Sequence, residues 1–203
     1  MRDALSVHRV LLERGVEHEV VRLPRPLQTA DDLPEVLGLP ATSCAVVRCY
    51  VVAPGSGLAT AAGDHAGRAL HAVVVPAGRH PLPGMLQSGL RIGEVREATS
   101  AEINRATDCA ARLVTAVGLP TAVTVLVDAA LDTEGTLWTP TGESGTAVAL
   151  HGADLPAVTG GRVVALTSAP PPVVDLTAHE ERTVASSATT TGTGRAAEPG
   201  TRQ

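Results

Sequence analysis

The 203-residue chain contains no phenylalanine, one tryptophan and one tyrosine, so any core must be aliphatic, built from Val, Leu and Ala. Lysine is absent as well: all 16 basic side chains are arginine. That excludes mechanisms needing a lysine amine, such as a Schiff base or a lysine general base. Cysteine is scarce, with three residues and no CxxC, which argues against a disulfide framework and for a reducing compartment. No apolar run approaches the roughly 18 residues of a membrane span. The opening Met1-Arg2-Asp3-Ala4-Leu5 lacks the apolar stretch of a signal peptide. A soluble cytoplasmic protein is therefore expected. Net positive charge is missing too. The formal charge of −5 argues against a broad basic surface along a nucleic acid, but leaves room for a local pocket that takes an RNA end.

What is present reads as an α/β protein. Leu5, Val7, Val10, Leu11 and Leu12 recur at mostly helical spacing over residues 3–14, and Gly15 follows as a stop. His18–Leu23 is expected as a short edge strand closed by Pro24 and Pro26. Thr29 caps a short helix with Asp31 and Asp32 in its first turn, Leu33, Val36 and Leu37 as its stripe, and Gly38 at its end. From Cys44 to Val52 the chain is apolar or β-branched on both strand faces, the pattern of a strand covered on two sides. His71–Val75 and Val123–Asp128 read as further buried strands. Shorter ones are expected at 91–95, 136–139, 147–150 and 163–166, with helical turns at 81–90, 100–106 (capped by Ser100) and 154–158. Ala53–Gly57 and Gly63–Gly67 punctuate a loop. Beyond residue 168 the composition is Pro, Thr, Ala, Ser and Gly, too poor in large apolar residues to offset ordering entropy. The expected organisation is a domain over 1–168 and a disordered tail over 169–203.

One residue is out of place. Arg48 interrupts the most apolar strand and shares a strand face with Val46 and Tyr50. A guanidinium there needs a partner or a ligand, because burying it unpaired is costly. Either a structural ion pair with a snorkelling stem or a binding site satisfies that need. Gly142-Glu143-Ser144-Gly145-Thr146 lacks the last glycine of a serine nucleophile elbow and reads as a turn. Its backbone N–H groups can still meet a carbonyl or phosphate. The seven histidines and three cysteines show no metal-ligand spacing, and Gly55-Ser56-Gly57 lacks the rest of a dinucleotide fingerprint. No metal and no cofactor is expected. Cys44 and Cys49 read as small core residues, and Cys109, in a loop, as the thiol to test for reactivity.

The order of several segments resembles the YbaK/ProX family of bacterial aminoacyl-tRNA editing domains, also found inserted in prolyl-tRNA synthetases. The segments are Thr29-Ala30-Asp31-Asp32 before Leu37-Gly38-Leu39-Pro40, then Val46–Val52, His71–Pro76, Gly118-Leu119-Pro120 before Val125–Asp128, and Gly142–Thr146. The resemblance spans roughly residues 5–160. It implies a single mixed-sheet α/β domain with flanking helices. It also implies metal-independent hydrolysis of the ester joining a wrong amino acid to the tRNA 3′ end, with the terminal ribose hydroxyl assisting the attacking water. Arg48 then stands where the family has a lysine, as the catalytic cation. Gly142, Glu143, Ser144 and Gly145 match a substrate-contacting glycine loop. A G-x-x-x-P pocket loop falls on Arg112–Ala116, making Arg112, Thr115 and Ala116 expected substrate contacts although its glycine and proline are both missing. An arginine fork in place of an ammonium is not a conservative change. The alternative is a non-catalytic relative that binds aminoacyl-tRNA ends or a small acyl ligand. The aminoacylated acceptor end is the expected partner, with no membrane, and the sequence leaves the oligomeric state open.

Overall fold

The computed structural model describes residues 2–52, 70–91, 93–131 and 133–167. The loop expected around 53–67 and the tail expected over 169–203 lie outside those residues. Helix α1 (Ala4–Glu13) starts at Asp3, whose carboxylate accepts the Ser6 N–H at 2.8 Å while Ser6 Oγ accepts the Asp3 N–H at 3.0 Å. Val7 and Leu11 are fully buried, and Gly15 ends the segment at φ +67°. Strand β1 (His18–Arg22) follows, then helix α2 (Leu33–Leu37), closed by Gly38 in a left-handed conformation.

The long apolar stretch is β2 (Ala45–Val52), which pairs antiparallel with β3 (His71–Pro76), a strand with all six residues buried. Helix α3 (Pro83–Leu90) ends at Arg91, which takes a left-handed φ of 56°. That break displaces the next strand from the expected 91–95 to β4 (Val95–Glu97). Helix α4 (Ser100–Thr107) is capped by Thr99 and not by Ser100. Glu102, three residues into the helix, reaches back to the Thr99 N–H at 2.8 Å and completes a capping box. Then come β5 (Thr124–Asp128), β6 (Thr136–Pro140), β7 (Thr146–His151), α5 (Leu155–Thr159) and β8 (Arg162–Val164).

The mixed α/β architecture agrees with expectation, but the strands divide between two sheets where one was expected. Five form a mixed sheet in the order β4-β2-β3-β5-β8, with β3, β5 and β8 parallel. The other three, β1-β7-β6, are wholly antiparallel, and a Cys44–Trp138 bridge touches between the sheets. A parallel crossover needs a dozen or more residues, whereas the β6–β7 pair needs only the short 141–145 turn, so local hairpin pairing separates the second sheet.

Alternate residues of the large sheet feed two apolar clusters. Val47, Cys49, Ala72, Val74, Val125 and Val127 pack with Val7, Leu11 and Val158. Val46, Tyr50, Val73, Val75 and Leu126 pack with Leu33, Val36 and Leu86. Each fully buried leucine or valine contributes about 1.5–3 kcal/mol, so a core without phenylalanine relies on many such side chains. At the end of β5 the buried Asp128 carboxylate holds the closing segment, accepting the Leu166 N–H at 3.2 Å and the Thr167 hydroxyl at 2.5 Å. No helix among the described residues is long and apolar enough to cross a membrane.

Candidate functional site

Strand parity puts Arg48 opposite Val73 of β3, between the Val46/Val75 and Tyr50/His71 pairs. The ion pair left open by the sequence is formed. Arg48 Nη2 donates to Asp31 Oδ1 at 2.7 Å, and Nε donates to the Arg79 carbonyl at 3.3 Å. Asp31 is more than an acid in a first helical turn, since its Oδ1 also accepts the Gly78 N–H at 2.7 Å. One carboxylate oxygen thus ties the strand, the α2 entry and the turn after β3 together. The pair is not sealed in the core: the two side chains keep 19% and 32% of their surface exposed. Arg48 Nη1 has no hydrogen-bond partner among the described residues, so part of the guanidinium fork stays open to an incoming oxygen.

The neighbouring Tyr50/His71 pair is tightly covered. Burial pushes the Tyr50 hydroxyl up to about 12 and the His71 imidazole below its ordinary value. His71 Nδ1 is buried without a hydrogen-bond partner among the described residues.

The second feature is a hollow of about 470 Å³, within the size range of small-ligand sites, lined by Arg2, Asp3, Ala110, Leu113, Gly142, Glu143 and Ser144. Its glycine-bracketed wall is built from the β6–β7 turn. Gly142 adopts φ +101°, and a Cβ there would meet the Arg2 carbonyl oxygen at 3.0 Å. Glycine is required here both for the backbone conformation and for the close approach of the N-terminal segment. Glu143 Oε2 accepts the Ala4 N–H at 3.3 Å and the Thr146 hydroxyl at 3.1 Å, fastening α1 to the turn. On the other side, the Ser144 and Gly145 carbonyls accept the Leu27 and Leu23 N–H groups at 2.8 and 2.9 Å. The Glu143 and Ser144 amides donate to no partner among the described residues, which leaves backbone donors at the rim.

The structure therefore joins Gly142, Glu143 and Ser144 with the start of the 110–116 loop, but it does not place every expected residue at the hollow. Arg112 is exposed; its carbonyl accepts the Ala30 N–H at 2.9 Å, next to Asp31. Thr115 and Ala116 are fully buried, with Thr115 Oγ1 accepting the Val117 N–H at 3.2 Å. Arg48 does not line the hollow. The segment from Leu27 to Asp31 is bonded to both features, Leu27 to the turn and Asp31 to Arg48. Arg2, at the wall, had no local signal in the sequence, because its partner Thr107 lies more than a hundred residues away.

The described residues contain no group of three or more His, Cys, Asp or Glu side chains able to hold a metal ion. Cys109 is 2% exposed despite its loop position, and burial pushes the Cys44 and Cys49 thiols up to about 12.

Comparison with known proteins places this geometry in a family. The aminoacyl-tRNA editing domain model matches residues 25–158. The chain belongs to that family. The fold agrees with solved structures of low sequence identity. A hypothetical protein aligns with a TM-score of 0.66 at 20% identity, over 80% of this chain and 99% of its own. A protein proposed as a trans-editing enzyme for prolyl tRNA synthetase aligns with a TM-score of 0.65 at 22% identity, over 81% of this chain and 96% of its own. None of the curated proteins matches the sequence. The matched span includes Asp31, Arg48, the 110–116 loop and the Gly142–Gly145 turn. Arg2, Asp3 and α1 precede the matched span.

Proposed function

We propose that this editing domain hydrolyses the ester of a mischarged aminoacyl-tRNA, without a metal, acting on free charged tRNA. Arg48 stands in for the lysine that the YbaK/ProX resemblance implies. The observation that carries this reading is the guanidinium itself: fixed on two sides by Asp31 and the Arg79 carbonyl, partly exposed, and with Nη1 uncommitted. A cation held in that way can orient a substrate oxygen without paying for reorganisation at the moment of reaction. Water attacks the acyl carbon, the bond to the ribose oxygen breaks, and the departing hydroxyl takes the proton. The unpaired Glu143 and Ser144 amides supply donors for the 3′ end, with Gly142 and Gly145 shaping the turn. Arg112, Thr115 and Ala116 belong to the loop that bounds the amino-acid side. Residues 1–168 carry the activity.

The test is ester loss from a panel of mischarged tRNAs, with and without chelator. At least one pair should be deacylated, chelator should change nothing, and Arg48→Ala should lower kcat/KM by roughly 10²-fold, the scale of losing one electrostatic donor. Ester loss no faster than buffer for every pair would refute the reading.

A second reading has its own support. Asp31 already neutralises Arg48, and the buried Thr115 and Ala116 leave little room on the loop expected to form the pocket. A non-catalytic member would bind aminoacyl-tRNA ends or a small acyl ligand. Arg48→Lys separates the two: hydrolysis gained from an inactive parent favours the binder, and hydrolysis lost favours a working Arg48.

A further inference from the structure

A second groove of about 510 Å³ adjoins the first, sharing Arg2 and Asp3 with it, and brings together Arg2, Arg9 of α1 and Arg105 of α4. The lining sets three arginines against two acids. Arg2 is held by backbone oxygen, its Nε donating to the Thr107 carbonyl at 3.2 Å and its N–H to the Asp108 carbonyl at 2.9 Å. Arg9 and Arg105 are exposed and make no ion pair or hydrogen bond among the described residues. Two acids also line the groove. Asp3 is occupied by the Ser6 amide and hydroxyl, at 2.8 and 2.7 Å, and Asp108 is the other. Three arginines lining one cleft are suited to phosphate oxygens, which arginine grips in a planar fork.

We infer that this groove binds the phosphodiester backbone of the tRNA acceptor stem and leads its 3′ end past Arg2 into the Gly142–Ser144 hollow. The role rests on the editing reading and adds to it the path of the RNA. The shared wall is what joins the two: a strand whose phosphates lie on Arg9 and Arg105 reaches the hollow by crossing Arg2. A local basic cleft on an acidic protein also confines contact to one stretch of backbone, in place of a broad electrostatic surface.

The probe is a 5′-labelled RNA hairpin of acceptor-stem length ending in CCA, titrated by fluorescence anisotropy between 20 and 200 mM salt. Arg9→Gln/Arg105→Gln is compared with the parent, and Arg91→Gln, at the end of α3 and outside the groove's lining, serves as a charge control. The double variant should bind about tenfold more weakly at low salt, and its log K against log salt slope should fall by about one per arginine removed. The control should keep the parent slope, and both proteins should melt at the parent temperature. A parent that does not bind the hairpin, or a double variant with the parent's slope and affinity, overturns the groove. A kinetic arm separates this from failure of the editing reading. Hydrolysis of an aminoacylated hairpin should fall in the double variant through KM, while hydrolysis of 3′-aminoacyl-adenosine, which has no phosphates, stays unchanged. If neither ester is cleaved by the parent, the editing reading fails and the anisotropy arm still decides the groove.

Discussion

Asp31 fixes the direction of Arg48, and removing it has a calculable effect. Two unit charges about 4 Å apart attract by about 1 kcal/mol in water and about 4 kcal/mol at the effective dielectric near a protein surface. With 19% and 32% of the side chains exposed, this pair lies between those limits. Screening and the ordering of a long side chain reduce the net coupling to about 1–2 kcal/mol. Asp31→Ala also leaves the Gly78 N–H, 2.7 Å from the same oxygen, to solvent, which adds up to about 1 kcal/mol. The single variant should therefore lose about 1–3 kcal/mol. Arg48→Met keeps the packing of the stem and loses the charge, at about 1–2 kcal/mol.

Urea denaturation of the two single variants and the double variant closes a cycle. The double variant should be more stable than the sum of the two losses predicts by about 1–2 kcal/mol, with m-values unchanged. A coupling below about 0.5 kcal/mol, the ordinary error of additivity, refutes the reasoning. Arg48 would then be a solvated side chain whose contact with Asp31 does not orient it, and the proposed cation would have lost its anchor. The same cycle read in activity adds a check. If Asp31 only positions Arg48, Asp31→Ala should lower kcat on a mischarged tRNA, and it should have no further effect once Arg48 is gone.

Gly142→Ala forces a side chain into φ +101° and towards the Arg2 carbonyl at 3.0 Å, and should cost about 1–3 kcal/mol in thermal or chemical unfolding. Gly145→Ala in the same turn, with nothing within 4 Å of the added carbon and no positive φ, should be near neutral; equal losses would undo the close-approach account. His71 gives a pH signature. Its folded pKa is depressed by burial, so the unfolded chain takes up the proton first, and stability is complete above the unfolded value of about 6.5 and falls as pH drops below it. His71→Leu should flatten that slope, measured by urea midpoints from pH 7.5 to 5; an unchanged slope assigns it to other groups. Cys44 and Cys49, with thiols held up to about 12, should resist iodoacetamide at pH 8 in the folded protein and react fully in denaturant, as mass spectrometry would show. Labelling of either in the native state would mean that the β2 core opens.

The elements were legible in the sequence because their signals are local. Caps, glycine stops and unbroken apolar runs place α1, β2, β3 and β5 within a residue or two of where they stand. Errors came where one residue decides a boundary: Arg91 in a left-handed conformation moved β4 to Val95, and Glu102 chose Thr99 as its capping partner over Ser100. The division into two sheets was hidden because pairing partners are set by loop length and packing, which periodicity does not encode. The site shows the same split. Arg48 stood out because a charge on an apolar strand violates a local rule, and the sequence could say that it needed a partner. It could not say which, since Asp31 is 17 residues away and already had a plausible local task as a first-turn acid. Arg2 offered no anomaly at all: an arginine near the start of a chain is ordinary until the fold lays it against Gly142 and Thr107. What makes Arg2 informative is that it borders both the hollow and the arginine groove. On the proposed reading, Arg48 carries the chemistry, and Arg2, Arg9 and Arg105 grip the RNA backbone without reading its sequence.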